Sequence, residues 1–207
     1  MHRLRLIIAA FVLLHSAGGV LAAPQVVTSI KPVDDLVRAV MAGVGQPLLL
    51  IPAGSSPHLY ALKPSERRAA EQAEVVFWVG PQVERPLVKV LQSARPTTRI
   101  VPLAQAPGIE LLPARSGGAW DQHGAAGKDH DRHDHGRNGI DGHLWLSPTN
   151  AAAILRAAAR TLSDVDPANA GRYAANAEAA LQRLKILNAE LAAELADARS
   201  SSKPLSL

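Results

Sequence analysis

Cysteine is absent from the 207 residues. That excludes a disulfide scaffold, thiolate metal sites, iron–sulfur clusters and a cysteine nucleophile. Aromatic residues make up only 3%, too few for the stacking platforms that hold single-stranded nucleic acid. Neither sign of charge dominates: Lys and Arg number 22, Asp and Glu 18. With Arg3 and Arg5 set aside as part of a cleavable leader, 20 basic residues face 18 acidic ones, which is no footprint for a phosphate backbone, so no nucleic-acid partner is expected. A His-Glu-x-x-His helix, a Gly-x-Ser-x-Gly turn and a phosphate-cradling glycine loop are also missing. Hydrophobic residues, at 47%, are plentiful enough to exclude a wholly disordered chain.

Long apolar runs are confined to the N-terminus. Arg3 and Arg5 precede an unbroken apolar stretch, Leu6 to Leu14, and Val20, Leu21, Ala22 and Ala23 then bring small residues. This order reads as a secretory signal peptide over residues 1–22, cleaved after Ala22 or Ala23. His15, Ser16, Gly18 and Gly19 interrupt the run, short of the roughly 20 apolar residues a membrane span needs. With no Cys after the small residues, no lipid attaches there. The expected compartment is a bacterial periplasm.

Residues 23–106 alternate between short apolar runs and amphipathic stretches. Strands are expected over residues 26–30, 47–51, 75–79 and 99–103, and helices over 33–44, 64–73 and 84–94. In the first helix Val33, Leu36, Val37, Val40, Met41 and Val44 recur at helical spacing. Asp34 and Asp35 suit the positive end of its dipole, and Gly43 and Gly45 end it. Pro64 opens the second, with Glu66, Arg67 and Arg68 toward water. Continuous apolar strands joined by helical crossovers indicate an α/β fold: a four-stranded parallel sheet with helices on both faces. Ligands of such sheets bind at the loops beyond the carboxyl ends of the strands, and residues 53–62 form one of these loops.

The alternation stops at residues 107–142, rich in Gly, Asp and His, as in a functional or disordered loop. Residues 143–165 then complete the lobe with a helix capped by Ser147 and opened by Pro148. Residues 166–200 read as one long helix after Asp166 and Pro167, lined by Tyr173, Ala177, Leu181, Leu184, Leu191 and Leu195. From Pro167 to Arg199 it would run about 50 Å, a strut that outlasts its own domain. Residues 201–207 look like the start of another strand.

Six histidines follow the leader: His58, His123, His130, His133, His135 and His143. Imidazole is the commonest metal ligand and suits zinc. His123, His130, His133 and His135 alternate with Asp121, Asp129, Asp131 and Asp134, a composition that signals loose metal contact. Loose, because ordering a floppy loop costs entropy. His58 and His143 each stand alone beside a rigid element, the first at a strand end after Pro57, the second just before a capped helix. Zinc takes three or four protein ligands, so this pair needs a third from the tract or from chain beyond Leu207. Asp141, two residues before His143, reads as a supporting or loop-capping carboxylate rather than a catalytic base.

These motifs carry a resemblance. Gly54-Ser55-Ser56-Pro57-His58-Leu59-Tyr60-Ala61-Leu62-Lys63-Pro64-Ser65 resembles the first ligand loop of periplasmic zinc-binding proteins of ABC transporters, the ZnuA type. Val76-Phe77-Trp78-Val79-Gly80-Pro81-Gln82-Val83-Glu84 is similar to that family's third strand and turn. The Asp/His tract resembles its acidic loop, and His143-Leu144-Trp145-Leu146-Ser147-Pro148 its second ligand motif. The resemblance implies that His58 and His143 are zinc ligands, with the tract histidines accessory. It also implies a long helix joining two lobes, zinc held in the cleft, and delivery to a membrane permease. The family's third His follows a strand just past the point where this chain stops, so the resemblance implies an N-terminal lobe, tract and linker of a longer protein.

Two other readings keep the same fold: a manganese or iron importer component, which would call for more carboxylate, and a periplasmic metal buffer without a transporter. An enzyme is not expected.

Overall fold

The computed structural model describes residues 22–114 and 139–201. The leader up to residue 21, the tract histidines His123, His130, His133 and His135 with their neighbouring aspartates, and residues 202–207 lie outside the described residues.

Four parallel strands form one sheet in the order β2-β1-β3-β4. They are β1 (Val26–Ile30), β2 (Leu48–Ile51), β3 (Val75–Trp78) and β4 (Arg99–Pro102). Helices α1 (Lys31–Val40), α2 (Pro64–Gln72) and α3 (Leu87–Gln92) connect them. Then come α4 (Pro148–Val165) and α5 (Ala170–Ser201). The chain moves one way from β1 to β2 and the other way to β3 and β4. Right-handed crossovers therefore put α1 on one face and α2 and α3 on the other. The packing agrees: α1 lies against α4 and α5, and α2 against α3. The expected parallel sheet with helices on both faces is what the chain forms.

The β-branched central strands β1 and β3 are buried along their whole length, and Phe77, Ile154, Leu162 and Tyr173 are fully buried around them. The edges differ from the fully buried strands the apolar runs suggested. Leu48 of β2 and Ile100 of β4 are exposed, because each edge strand has a neighbour on one side only.

Several element boundaries also move, each for a local reason. Helix α1 stops at Val40, before the glycines. Its last carbonyls turn to α5, where Asn176 Nδ2 donates to Val40 O and Ala42 O (2.9 and 2.8 Å) and Arg172 donates to Gly43 O (2.9 Å). Asp34 lies in the first turn of α1, as expected, and it is also buried. It is 2% exposed, accepts a hydrogen bond from Thr28 Oγ1 at 2.9 Å, and pairs with Arg38 at 3.1 Å. Helix α3 begins at Leu87 rather than Glu84, since Pro86 disfavours helical backbone at Arg85 and Glu84 is committed to the turn before it. A 3₁₀ turn, Pro167–Asn169, precedes α5. The Asp166 carboxylate holds that turn, accepting from Asn169 Nδ2 (2.7 Å) and Tyr173 Oη (2.8 Å).

Helix α5, with 32 residues, is about 48 Å long. The expected apolar stripe packs only along its first half. Tyr173, Ala177 and Ala180 are buried and Leu181 and Leu184 partly so, whereas Leu191 and Leu195 are 46% and 59% exposed.

Candidate metal centre

The loop after β2 carries His58. A turn with Gly54 at φ 84° leads into it, and Leu59 N donates to Ser56 O (3.3 Å) around the imidazole. The far side of the loop hangs on Glu66, whose carboxylate accepts from Tyr60 Oη (3.1 Å) and from Lys63 N (2.8 Å). Glu66 is therefore not a freely solvated residue of α2. It caps the helix start by accepting from the Lys63 backbone N–H and fixes the chain two residues beyond His58 through Tyr60. Loss of solvent, then the Glu66 carboxylate, pushes the Tyr60 phenol up, so it stays a donor through the physiological range. His58 is half-buried, while Leu59 beside it is exposed.

The turn after β3 is organised by Glu84, which is 0% exposed. Its carboxylate accepts from Ser29 Oγ (2.5 Å), Val79 N (3.1 Å) and Gly80 N (2.9 Å). Burial pushes this carboxyl up, and the donated hydrogen bonds oppose that. Gly80 has φ 145°, a backbone that side-chain-bearing residues rarely adopt. The Ser29 bond ties the end of β1 to the turn after β3, at the point where the strand order reverses. In open α/β sheets that point is the usual ligand crevice.

His143 stands at the foot of the long loop. Residues Pro113 and Ile140 form an antiparallel bridge, with Ala114 N donating to Gly139 O (2.7 Å) and Asp141 N to Leu112 O (2.8 Å). Asn150 of α4 clamps the same strand of loop to the lobe: its side chain accepts from Glu110 N (2.8 Å) and donates to Glu110 O (2.9 Å). The loop expected over residues 107–142 thus has ordered feet. Asp141 Oδ1 accepts from both His143 N (2.9 Å) and His143 Nδ1 (2.7 Å). Trp145 lies edge-on to the imidazole, with ring centroids 5.4 Å apart. With Nδ1 donating to a carboxylate, Nε2 is the nitrogen left with its lone pair for a cation. A carboxylate behind a histidine is the common support of metal-binding imidazoles.

Both lone histidines belong to the carboxyl end of the sheet. His58 follows β2 directly. His143 joins through Gly142, where an added methyl group would lie 2.4 Å from Val83 Cγ2 in the turn after β3. Strands β2 and β3 flank β1, about 10 Å apart at ordinary strand spacing. Among the described residues no three His, Asp or Glu side chains converge in a metal-binding group. A depression of about 420 Å³ lies elsewhere, at the amino ends of β1 and β2, lined by Gln25, Gln46, Leu48, Arg68 and Gln72. It touches neither histidine.

Sequence reasoning missed Glu84, Ser29, Glu66 and Asn150. A Glu four residues after the Gly that follows a strand was the available signal for Glu84.

The fold has counterparts among known proteins. Residues 26–206 match the family described as the periplasmic zinc-uptake complex component A, ZnuA. The chain belongs to the ZnuA family. It is 36% identical over 192 residues to the high-affinity zinc uptake system protein ZnuA of Brucella abortus, covering 82% of this chain and 58% of that protein. It is 34% identical to the ZnuA of Paracoccus denitrificans over 83% of this chain and 57% of that one. The chain thus spans between half and two thirds of the length of these curated relatives. Among solved structures, the Zn(II)-bound ZnuA-like domain of Streptococcus pneumoniae AdcA is similar at TM-score 0.60 and 21% identity, over 79% of this chain and 52% of that one. A Mn-bound periplasmic metal-binding protein of Candidatus Liberibacter asiaticus matches at TM-score 0.60 and 20% identity, over 77% and 52%. At such identities these two establish the ZnuA fold and nothing finer.

Proposed function

We propose that the chain captures zinc in the periplasm for delivery to the membrane permease of an ABC importer. His58 and His143 each contribute one imidazole, and His123, His130, His133 and His135 act as accessory ligands. The observation that carries this reading is the Asp141–His143 bond, which turns Nε2 of an exposed imidazole into a preset ligand atom. Zinc is the cargo, and the process exchanges its waters for neutral imidazoles with no bond-making step, so the protein acts as a transport component and not as an enzyme. Export by the leader at residues 1–22 and completion of the site by a second lobe, beyond the linker at 166–200, belong to the same reading. No helix among the described residues is long and apolar enough to cross a membrane. Two imidazoles and relatives named for zinc uptake favour zinc over manganese or iron.

Calorimetric titration of the whole chain tests this. Zinc affinity should exceed manganese affinity, and it should fall on acidification, because a protonated imidazole cannot ligate. An affinity indifferent to pH between 5.5 and 7.5 would overturn histidine ligation.

A further inference from the structure

Glu84 is a fully buried carboxylate with no part in the ligand set, yet three donors from two segments converge on it. We propose that Glu84 is a positioning residue for His143, acting through the turn that ends in Val83. The proposal rests on the reading of His143 as a zinc ligand.

The chain of contacts is short. The Glu84 side chain takes the amides of Val79 and Gly80, while its own backbone N–H and that of Val83 return to Gly80 O (3.0 and 3.1 Å). Residues 79–84 are thereby closed into one turn, and the Ser29 hydroxyl fastens that turn to the central strand. Val83, 3% exposed, faces outward from this closed unit onto Gly142. The approach leaves no room for a methyl group at Gly142, so the height of Val83 sets the height of the backbone there. Gly142 lies between Asp141 and His143, the two residues whose hydrogen bond fixes the imidazole. A shift of the turn therefore moves the peptide that joins the carboxylate to its histidine. His58 lies on a different loop, after β2, and serves as the internal control.

The test reads the imidazoles before any metal is added. In the zinc-free whole chain, ¹⁵N and Nδ1–H signals should report His143 held in the Nδ1–H form by Asp141. Glu84→Gln puts an N–H₂ where an acceptor is needed, and it should move the His143 signals toward those of a solvated histidine while leaving His58 in place. Val83→Ala shortens the contact and leaves the buried carboxylate intact, so it should produce the same shift in His143 even if the first variant fails to fold. Folded Val83→Ala protein with unchanged His143 signals would overturn the proposal, as would equal shifts at His58 and His143. Zinc titration supplies a second arm. Val83→Ala should weaken binding roughly tenfold, in the range of supporting residues around metal ligands, and should have no further effect in a His143→Ala background. A full additional loss in that background would also overturn the route through His143. Absence of zinc binding by the unaltered chain would instead refute the zinc reading, and the metal-free spectra would still decide the role of Glu84.

Discussion

His58 and His143 stand at the same end of one sheet, but the chain holds them by different means. His58 is half-buried in a turn, and its loop is anchored two residues further on, where Tyr60 bonds to Glu66. The His143 side chain is 58% exposed, and its ring nitrogen is itself bound, at 2.7 Å, to a carboxylate that is 42% exposed. Exposure and constraint are thus separable. A group that must meet an ion arriving from water cannot be fixed by burial, so a hydrogen bond to the atom facing away from the ion does the fixing. Such a bond also selects the tautomer, which packing does not.

The largest effect should come from deleting an imidazole. His58→Ala or His143→Ala should each weaken zinc binding by more than about 100-fold, the upper end for residues that merely support a ligand. Competition with a chromogenic chelator measures this, and a loss confined to one of the two variants would break the pairing of the two histidines. Asp141→Asn should come next. It keeps the shape and removes the charge, so a loss of about 10-fold to 100-fold is expected, with the His143 ring signals displaced and those of His58 unchanged. Tyr60→Phe should cost less, about fivefold, since it removes one hydrogen bond to a carboxylate that keeps its bond from Lys63 N. An effect of Tyr60→Phe equal to that of Asp141→Asn would mean that the His58 loop is as tightly governed as His143.

Most of the sheet was legible because its code is local. Val75–Trp78 is an apolar run and Val26–Ile30 is rich in β-branched residues, and Pro32, Pro64 and Pro148 each sit at the first or second position of a helix. That the two lone histidines lie beside ordered elements was legible through Pro57 for the first and the Ser147-Pro148 cap for the second. What escaped was polar and long-range. Ser29 and Glu84 are 55 residues apart, and Glu110 and Asn150 are 40 apart. Neither pair leaves a periodic trace, because a buried hydrogen bond is specified by where the fold brings two segments rather than by spacing along one. The end of α1 was misplaced for the same reason: the groups that receive its carbonyls, Arg172 and Asn176, belong to a helix 129 to 136 residues away.

The smallest effect is expected from the tract. His123→Ala, or the same change at His130, His133 or His135, should lower zinc affinity by less than about twofold, because four histidines within 13 residues offer an ion several equivalent partners. The remaining three histidines can take the place of the one removed, which neither His58 nor His143 can do for the other, since one sits on the loop after β2 and the other just before α4. Changing all four together should therefore cost more than the sum of the single changes. Titrations of the four single variants beside the quadruple variant read this directly. A single tract substitution as damaging as His143→Ala would shift the centre of the site from the sheet end to the loop and dissolve the contrast between fixed and adaptable ligands.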